Sequence, residues 1–598
     1  MKHCIGVNLL RPDEIVNLLV HALQLIVSYM RNSVPSGLIY RPNKDDLAWL
    51  ALKVAMIFEE PSSRTIGSQR EAAEWWLARL GFPMLPDSSS LIKNESHTRS
   101  ALTALQQRAA ILCFRTKFEG VALHVAQFLE RYGAQFPDWY RTAPIINCGD
   151  GTKNHPTQEL LDLLTYLVYI LGLLDSEGTP INHLTAPNVD RLEKILNQMD
   201  GEKLRTFVED ALNGKYAENP DVGLVIAIVG DLSHSRVCNS KLDLTAKFPR
   251  IKFILVSPSK FQVSKLRRDE LGASVSVTED ITEALQADII YYLRTQMERL
   301  EEVMSRAEAE SALDRLRFTE WHMRQFQGVI QHPQPLDRFR DLIHPSLLNH
   351  PQVIIDLQAL LGIPMRTAIY DVCWSNRHDH APLLAVPKLQ EGEYRILAEE
   401  SIDEHRRKHL AHKQELGDQR SVNDIDRGMV LDWLPPGSGR LLDEMILRSG
   451  VYPNDVPTGI VVPNRRSPSR SHELGRDIFK DIIFLEDVFV PLEILGALKL
   501  FAPDMRVIVL RDGAYRKLDI PLAKAIPTIL NCPNPACVSR TDPECESFIR
   551  VTRDRTSGAE ALLQCPFCRD TFTEHQMFRT AWDKPVSPLR GYVNNLTA

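Results

Sequence analysis

The sequence lacks the features that would assign it to several classes of protein. Its 70 lysine and arginine residues are balanced by 77 aspartate and glutamate residues, so the composition gives no reason to expect nucleic acid or an anionic membrane as a partner. Its longest apolar stretch, residues 160–174, contains Asp162 and is shorter than the roughly 20 residues that cross a bilayer. Asn8, Arg11 and Asp13 interrupt the apolar residues near the N-terminus, which predicts no secretory signal.

Cysteine is too scarce for a disulfide scaffold. There are ten cysteines in 598 residues, a usage that fits a protein of the reducing cytoplasm. Five of them stand among apolar neighbours and are expected to be plain buried thiols: Cys4, Cys113, Cys148, Cys238 and Cys373.

Four of the other cysteines form two short pairs, Cys532-Pro-Asn-Pro-Ala-Cys537 and Cys565-Pro-Phe-Cys568. Each pair can place two thiolates on one turn, and two facing turns give a closed tetrahedral site that is typical of structural zinc. Four unrelated buried thiols are the alternative. Cys545 falls outside both pairs and is expected to be a spectator. A closed site has no open position, so its role is folding rather than catalysis.

Apolar runs of strand length predict two parallel sheets in the first part of the chain. Each run is continuous rather than alternating, which is typical of strands that helices cover on both faces. The runs lie at 110–114 and 144–147 for the first sheet, and at 224–231, 251–256, 275–277 and 289–293 for the second. The sequence therefore predicts two doubly wound α/β subdomains.

Three further segments are expected to complete these subdomains. Residues 157–174 are apolar all round, which predicts a long and mostly buried helix. Residues 353–372 predict a helix packed back on the earlier layers. Residues 175–220 are polar and mixed, with a helical pattern at 189–212, and we interpret them as an insertion or an elaborated connection.

The C-terminal part has a different character. Residues 374–420 are charged and carry His405, His409 and His412 at helical spacing. A solvated linker helix is favoured there over a metal site, because no carboxylate or cysteine is fixed nearby. From Ser421 strands alternate with turns, which predicts an α+β domain before the cysteine-rich module.

A stretch of hydroxyl groups and one arginine, Ser62-Ser63-Arg64-Thr65, stands between an apolar run and an amphipathic segment at 71–80. At a helix start the backbone N–H groups are unpaired and carry partial positive charge, and a guanidinium adds a bidentate fork. The stretch therefore predicts a phosphate site. An N-cap followed by solvated polar residues is the alternative.

Further polar side chains follow the strands of the first predicted sheet. Arg115 comes just after the strand that ends at Phe114, and His155 and Gln158 lie one helical turn apart beyond a glycine-containing turn. Because open α/β sheets bind ligands at the carboxyl ends of strands, we expect these residues and Arg64 to converge on a small anion with a carbonyl and an amide. Pairing with carboxylates and helix capping are the structural alternatives.

The second predicted sheet repeats this arrangement. Arg236 follows the turn at 230–231, and Arg294 and Gln296 follow the strand that ends at Leu293. Two arginines and a glutamine at one sheet edge suit a dicarboxylate. Salt bridges between the subdomains are the alternative.

These motifs together resemble those of the aspartate carbamoyltransferase family. The family's Ser-Thr-Arg-Thr appears as residues 62–65, its His-Pro-x-Gln as 155–158 and its Arg-x-Gln as 294–296. Its mobile Ser…Lys loop is similar to Ser90-Leu-Ile-Lys93, and its aspartate-domain arginine matches Arg236. The catalytic-chain pattern covers about residues 1–373.

The rest of the chain resembles the regulatory chain of the bacterial enzyme, from Ile425-Asp-Arg-Gly-Met-Val-Leu-Asp432 through the zinc cysteines. The resemblance thus implies a catalytic–regulatory fusion: two parallel-sheet α/β subdomains, an α+β domain of the nucleotide-binding type and a small zinc-binding β domain. The implied domains are a carbamoyl-phosphate-binding domain at 1–158, an aspartate-binding domain at 159–345, a C-terminal helix at 346–373, a linker at 374–420, the regulatory-like domain at 421–522 and the zinc domain at 523–598.

The reaction implied by the resemblance converts carbamoyl phosphate and L-aspartate to N-carbamoyl-L-aspartate and phosphate, the committed step of pyrimidine (UMP) biosynthesis. It needs no catalytic metal. The implied carbamoyl phosphate ligands are Ser62, Ser63, Arg64, Thr65, Ser90, Lys93, Arg115, His155 and Gln158, among which Arg64, Thr65, Arg115 and His155 are catalytic. The implied aspartate ligands are Lys93, Arg236, Arg294, Gln296 and Pro335. Ser90 and Lys93 would reach a neighbouring subunit's site, which makes a homotrimer the minimal active unit, with pairing of trimers left open.

The chain departs from the family pattern at several positions. The family's His-Pro-Leu-Pro-Arg reads His332-Pro-Gln334-Pro-Leu336 here. The family's aspartate contact in this segment is largely made by backbone atoms, so Gln334 is compatible with it, whereas the arginine lost at Leu336 alters the connection between subdomains. Asn94 replaces a glycine beside Lys93. Glu60 and Arg299 match positions that hold the closed arrangement of the family.

The regulatory-like part departs further. Asp432 and Lys480 match the family, but Trp433, Phe484 and Ile508 stand where histidine, lysine and asparagine would contact the nucleotide. Each replacement removes a hydrogen-bonding group and adds apolar bulk. We therefore predict that this domain keeps its fold and binds ATP or CTP weakly or not at all.

Two other functions remain open from the sequence. A carbamoyltransferase with another amino-acid acceptor is one; the ornithine-specific members carry a Ser-Met-Gly loop and a His-Cys-Leu-Pro segment, and neither is present. An inactive scaffold or assembly protein that docks through the zinc module is the other, and the altered 332–336 segment leaves room for it.

Overall fold

The computed structural model divides into two compact units, residues 1–383 and 384–598. The residues that it describes are 1–33, 35, 37–39, 53–60, 63–77, 95–294, 305–334, 336, 342–380, 383–384, 386–390, 392–410, 421–452, 458–467, 471, 476–527, 529–530, 532–546, 548–555 and 560–580.

The first unit begins with a parallel sheet in the order β1-β2-β3. Its strands are β1 (Lys53–Phe58), β2 (Ala109–Thr116) and β3 (Ile145–Asp150), and its helices are α1 (Pro12–Met30), α2 (Ser63–Leu77), α3 (His97–Gln106), α4 (Val121–Tyr132) and α5 (Asp138–Thr142). The strands are buried along nearly their whole length because helices cover both faces. The two strands predicted for this sheet are confirmed.

A second parallel sheet of the same unit has the order β6-β5-β4-β7-β8. Its strands are β4 (Leu224–Val229), β5 (Ile251–Val256), β6 (Val275–Thr278), β7 (Ile289–Tyr292) and β8 (Val329–Gln331), and its helices are α9 (Arg236–Leu242), α10 (Lys265–Leu271), α11 (Arg306–Asp314) and α12 (Glu320–Met323). The four predicted strands are confirmed. The sequence misses β8 because three residues give too short an apolar run.

Two long buried helices join the layers of this unit, α6 (Pro156–Leu171) and α13 (Ile355–Ser375). Helix α13 packs against α1, α2 and α6, as predicted for 353–372. By length and composition the segment Pro156–Leu174 could cross a membrane, but 83% of it is buried inside the fold. It is the buried helix that the sequence predicts.

The segment interpreted as an insertion forms two helices, α7 (Ala186–Asn197) and α8 (Gly201–Leu212). Both pack against α1, and their apolar faces join the main core through residues such as Leu192 and Phe207. The segment is therefore part of the core of this unit.

The second unit contains a six-stranded antiparallel sheet in the order β11-β12-β10-β13-β14-β9. Its strands are β9 (Arg395–Ser401), β10 (Gly428–Leu434), β11 (Ile460–Arg466), β12 (Phe479–Glu486), β13 (Arg506–Arg511) and β14 (Ala514–Asp519), and its helices are α14 (Ile402–Lys408), α15 (Gly439–Arg448) and α16 (Leu492–Leu498). The linker predicted at 374–420 is wrong for 395–408, because β9 pairs with β14 as an edge strand of this sheet.

A small antiparallel sheet follows in the same unit, in the order β15-β16-β17-β18. Its elements are β15 (Ala525–Pro527), α17 (Val538–Thr541), β16 (Phe548–Arg553), β17 (Leu562–Gln564), β18 (Thr571–Thr573) and α18 (Glu574–Thr580). The two cysteine pairs flank its strands.

Candidate active site and metal centre

The first turn of α2 carries the predicted phosphate motif. The helix begins at Ser63, so Arg64 and Thr65 lie at its N-terminus, where backbone N–H groups lack helical partners. The Arg64 side chain is exposed, whereas Thr65 is buried. An anion at this helix end meets both the positive end of the helix dipole and a guanidinium.

An arginine of the first sheet and an arginine that follows a strand of the second sheet both approach Glu60, which lies just beyond β1. Arg236, at the start of α9, donates from Nη2 to Glu60 Oε2 at 2.6 Å. Arg115, near the end of β2, has its Nη2 at 3.7 Å from the same oxygen and donates from Nη1 to the Cys148 carbonyl at 3.1 Å. Each subdomain therefore contributes one cation to the surroundings of the Glu60 carboxylate.

Gly149 permits this close approach. Its φ is +120°, a conformation that residues with a side chain rarely adopt. A Cβ at this position would lie 2.7 Å from Arg236 Nη1 and 3.0 Å from Arg115 Nη1. Because Gly149 has no side chain, the two guanidiniums can lie against the main chain of β3 at this position.

His155 directly precedes helix α6 and is buried beside these arginines. Its backbone N–H donates to Ser240 Oγ at 2.8 Å. Burial, together with the charges of Arg115 and Arg236, holds the pKa of His155 well below its usual value. The imidazole is therefore neutral at neutral pH and can donate one hydrogen bond without carrying charge.

Gln158 is buried in the first turn of the same helix. Its Nε2 donates to Asp162 Oδ1 at 2.8 Å. With the amide nitrogen bound in this way, Oε1 is the atom that can accept a hydrogen bond from an N–H group of a ligand.

The carboxyl ends of β7 and β8 bring further groups to Arg64. Arg294 follows β7 and is exposed, and His332 follows β8 and is buried. Burial and the nearby charges of Arg294 and Arg64 lower the pKa of His332 to about 3. Gln334, two residues further on, accepts a hydrogen bond from Arg64 Nη1.

Several predicted site residues lie outside the described part of the chain. These are Ser62, Ser90, Lys93, Gln296 and Pro335, together with Asn94 and Arg299 and the side chain of Ser63. Their roles stay predictions.

A buried ionic cluster behind Gln158 was not predicted from the sequence. Lys241 on α9 places its Nζ 2.8 Å from Asp162 Oδ2 and 3.1 Å from Glu159 Oε2, and 3.9 Å from the centre of the Tyr291 ring. All three charged side chains are buried. Burial raises the pKa of Glu159 to about 8. The sequence feature that could have indicated this cluster is the presence of two acidic residues, Glu159 and Asp162, in an otherwise apolar helix.

Four cysteines of the second unit form a candidate metal centre. The thiol sulfurs of Cys532, Cys537, Cys565 and Cys568 all lie within 4.8 Å of one another, and all four residues are buried. The Sγ atoms are 3.5 Å apart for Cys532 and Cys568 and 3.7 Å apart for Cys537 and Cys565. A tetrahedral ion with metal–sulfur bonds of about 2.3 Å requires sulfur separations of roughly 3.8 Å, so the donor set fits such an ion.

The predicted nucleotide-contact positions are filled by the protein itself. Lys480 Nζ lies 2.6 Å from Asp432 Oδ1 and 4.4 Å from the centre of the Trp433 ring. Trp433 has a φ of +63°, an unusual backbone for a bulky residue. Phe484 and Ile508 are buried in the core of the six-stranded sheet.

The histidine pair that the sequence assigned to a linker belongs to a satisfied ion-pair cluster. His405 Nδ1 lies 2.8 Å from Glu400 Oε1, and Lys408 Nζ lies 2.6 Å from Glu400 Oε2. The His405 ring also stacks on Tyr515 at 3.8 Å. A carboxylate is therefore fixed beside the histidines, contrary to the expectation, but Lys408 already neutralises it.

Family models match two separate parts of this chain. Residues 2–167 match the carbamoyl-phosphate-binding domain of aspartate and ornithine carbamoyltransferases. Residues 524–578 match the metal-binding domain of the aspartate carbamoyltransferase regulatory chain. The chain is related to aspartate carbamoyltransferase. It joins a part like the catalytic chain to a metal-binding domain of the regulatory type, as the motifs predict.

Individual relatives of this chain are named aspartate carbamoyltransferase catalytic subunits. The aspartate carbamoyltransferase catalytic subunit of Saccharolobus solfataricus is 28% identical over 332 residues, which cover 54% of this chain and 86% of that protein. The catalytic subunit of Solibacter usitatus is 28% identical over 322 residues, which cover 53% of this chain and 84% of that protein.

Solved structures of aspartate transcarbamoylases are also similar to this chain. The catalytic subunit of M. jannaschii aspartate transcarbamoylase has a TM-score of 0.43 and 24% identity, and the match covers 63% of this chain and 99% of that one. Trypanosoma cruzi aspartate transcarbamoylase, in complex with carbamoyl aspartate and phosphate, has a TM-score of 0.42 and 22% identity over 62% of this chain and 95% of that one.

Proposed function

We propose that this chain is an aspartate carbamoyltransferase, which transfers the carbamoyl group of carbamoyl phosphate to the amino group of L-aspartate and releases phosphate. The observation that carries the proposal is the set of four arginines that lie at or beyond the carboxyl ends of strands of two parallel sheets, beside two neutral histidines. Both substrates are anions, and guanidiniums are the side chains best suited to phosphate and carboxylate groups. The arginines are Arg64, Arg115, Arg236 and Arg294.

Carbamoyl phosphate is proposed to bind at the start of α2. Its phosphate takes the helix N–H groups, the hydroxyls of residues 62, 63 and 65, and the guanidiniums of Arg64 and Arg115. The oxygen of the Gln158 amide accepts from the carbamoyl N–H₂, which suits the bond that Gln158 Nε2 already makes to Asp162. Ser90 and Lys93 complete the phosphate site.

Aspartate is proposed to bind between this site and the second sheet. Arg236, Arg294 and Gln296 hold its two carboxylates, and Lys93 and the backbone at Pro335 add contacts. Glu60 already pairs with Arg236 and fixes the position of that guanidinium.

In the chemical step the aspartate amino nitrogen attacks the carbamoyl carbon. Negative charge develops on the carbonyl oxygen, and Thr65, Arg115 and His155 stabilise it by hydrogen bonding. The bond from carbon to the phosphate oxygen then breaks, phosphate leaves with the electron pair, and the amine loses a proton. The residues act by positioning and charge stabilisation, without a covalent intermediate on the protein.

The proposal includes the assembly and the cellular setting. Ser90 and Lys93 are proposed to enter a neighbouring subunit's site, which makes the active form a homotrimer of the cytoplasm. Sedimentation of the intact protein tests this. A mass of one chain in fully active samples contradicts it.

The ion at the cysteine centre is proposed to be zinc with a structural role. Four thiolates at tetrahedral spacing are a common zinc site, and they leave no position for substrate. Elemental analysis of the intact protein should find one zinc per chain, and none in a variant with Cys565→Ser and Cys568→Ser.

Nucleotide control by the regulatory-like domain is proposed to be absent. Lys480 is engaged by Asp432 and Trp433, and the two other altered positions face the core. Titration with ATP or CTP should show no saturable binding in the micromolar range and no change in aspartate saturation. Micromolar binding with altered saturation contradicts this part.

The decisive experiment measures carbamoylated product from carbamoyl phosphate, with aspartate and ornithine as parallel acceptors. Product from aspartate alone is the expected result. Product from ornithine would assign another acceptor. No product with either acceptor, in a folded and metal-loaded sample, would favour the inactive scaffold.

A further inference from the structure

Gln334 makes a contact that connects the two subdomains at the phosphate motif. Its Oε1 accepts a hydrogen bond from Arg64 Nη1, and its Nε2 lies 3.5 Å from the Ile355 carbonyl at the start of α13. Among the described residues, Gln334 is the hydrogen-bond partner of the Arg64 guanidinium. A residue of the second subdomain therefore touches an arginine of the first.

The backbone around Gln334 holds its amide in place. Its φ is +54°, in the left-handed region that few residues other than glycine and asparagine adopt readily. Its backbone N–H donates to His332 Nδ1 at 3.0 Å. Because His332 is buried and uncharged, this turn forms a fixed base for the side chain.

The contact with Gln334 uses only one edge of the Arg64 guanidinium. A guanidinium carries five N–H donors in one plane, and Gln334 takes a single donor on Nη1. The Nε and Nη2 donors form the other edge, which can bind two oxygens of a phosphate side by side. The Arg64 side chain is exposed, so one hydrogen bond to a residue with a defined backbone restricts the orientation of the whole plane.

We propose that the Gln334 side chain is a positioning residue that orients the Arg64 guanidinium for phosphate across the boundary between the two subdomains. The affinity of the first subdomain for a phosphate group then depends on a residue of the second. The identity of the substrate rests on the proposed function, whereas phosphate binding itself can be tested without turnover. A rival interpretation makes Gln334 a competitor that phosphate must displace, and it predicts the opposite sign.

The test is titration calorimetry of the intact protein with inorganic phosphate. Gln334→Asn keeps a residue that tolerates the left-handed backbone but is too short to reach Arg64, and Gln334→Leu removes the hydrogen bond at similar size. Both should weaken phosphate binding by about five- to twentyfold, as expected for a lost hydrogen bond to a charged group. Gln325→Leu, an exposed glutamine of the same subdomain, is the matched control and should change nothing.

A second set of variants separates positioning from general structure. In an Arg64→Ala background Gln334→Asn should have no further effect, because the partner is gone. In turnover assays Gln334→Asn should raise KM for carbamoyl phosphate by the same factor while kcat changes by less than about threefold. Thermal unfolding of each variant verifies that the fold is intact.

Three results would overturn the inference: tighter or unchanged phosphate binding in both Gln334 variants, an equal loss in the Arg64→Ala background, or no phosphate binding by the wild-type protein. The two proposals fail in different ways. The absence of turnover together with the expected phosphate data rejects the proposed reaction and leaves the role of Gln334 standing. Normal turnover with unaffected Gln334 variants does the reverse.

Discussion

Gly149 lies against one guanidinium from each subdomain. A methyl group there would meet Arg236 Nη1 at 2.7 Å and Arg115 Nη1 at 3.0 Å, and the left-handed backbone would be strained as well. The side chains could retreat only by giving up their bonds to Glu60 and to the Cys148 carbonyl. The position of the two guanidiniums therefore depends on the absence of a Cβ at Gly149.

Gly149→Ala should lower the free energy of unfolding by about 1–3 kcal/mol, because an L residue at this φ is strained. It should also reduce kcat/KM for aspartate by more than about tenfold, since a guanidinium displaced by roughly 1 Å loses its alignment. Chemical denaturation and steady-state kinetics measure the two effects. Gly178→Ala, at another positive φ with open space around it, is the control and should leave kcat/KM unchanged.

His155 should contribute to turnover as a neutral hydrogen-bond donor. Its pKa is depressed by burial and by the arginines around it, so it stays neutral as the pH falls from 8 to 6. The pH profile of kcat should therefore show no step assignable to this histidine. His155→Ala should lower kcat by about 10²–10³-fold, the usual loss for one oxyanion donor. A step near pH 6.5 that disappears in His155→Gln would contradict this.

At the scale of elements, helices α6 and α9 are joined by ionic groups rather than by apolar side chains alone. Lys241 on α9 bonds to Asp162 on α6, and Gln358 on α13 donates to the other Asp162 oxygen at 2.5 Å. The same carboxylate holds Gln158. One buried aspartate thus links three helices to the proposed carbamoyl site.

Lys241→Met should be strongly destabilising, because it leaves the buried Asp162 carboxylate without its cation. The expected loss is about 3–5 kcal/mol of unfolding free energy, as for other broken buried ion pairs. Combining it with Asp162→Asn should recover part of the loss, because the unpaired buried charge is then removed. Lys260→Met, an exposed lysine of the second subdomain, serves as the control in the same denaturant titrations, and an equal effect there would contradict the assignment.

The raised pKa of Glu159, about 8 in the folded protein, predicts a pH dependence of stability. The folded state holds this proton more tightly than the unfolded chain, so the contribution is full below about pH 4.5 and is lost as the pH rises to 8. The unfolding free energy of the wild type should fall over this window. Glu159→Gln should flatten that slope, and a slope identical to the wild type would show that Glu159 ionises normally.

At the scale of the whole molecule, the chain consists of two units that each have their own sheets and core. The four cysteines lie in the loops of the small sheet of the second unit, whose strands are only three to six residues long. Such short strands bury little apolar surface, so we expect an ion bound by the four cysteines to supply much of the folding free energy there.

A strong chelator should therefore destabilise the second unit and leave the first unit almost unaffected. Calorimetry of the intact protein is expected to show the transition of the second unit shifted down or broadened, while that of the first unit moves by less than a few degrees. Readdition of zinc should restore the profile. Loss of both transitions together would show that the metal centre also supports the first unit.

The sequence predicts the parts of this molecule that depend on local chemistry. Continuous apolar runs marked the strands, and polar motifs at their carboxyl ends marked Arg64, Arg115 and His155. Contacts between distant segments were not predictable in this way. Lys241 looks like an ordinary basic residue until α9 packs against α6, and the amide of Gln334 reaches Arg64 from a left-handed backbone that the sequence does not reveal. Strand β9 was missed because an exposed edge strand is charged and resembles a linker.

The presence of both family matches in one polypeptide has a consequence for gene dosage. Enzymes built from separate catalytic and regulatory chains depend on balanced expression, and their composition follows mass action as the cell dilutes or concentrates them. Here every copy translated carries both matched segments, at a ratio that neither promoter strength nor dilution can change. Any response that the second unit confers is therefore inherited by all molecules in equal measure.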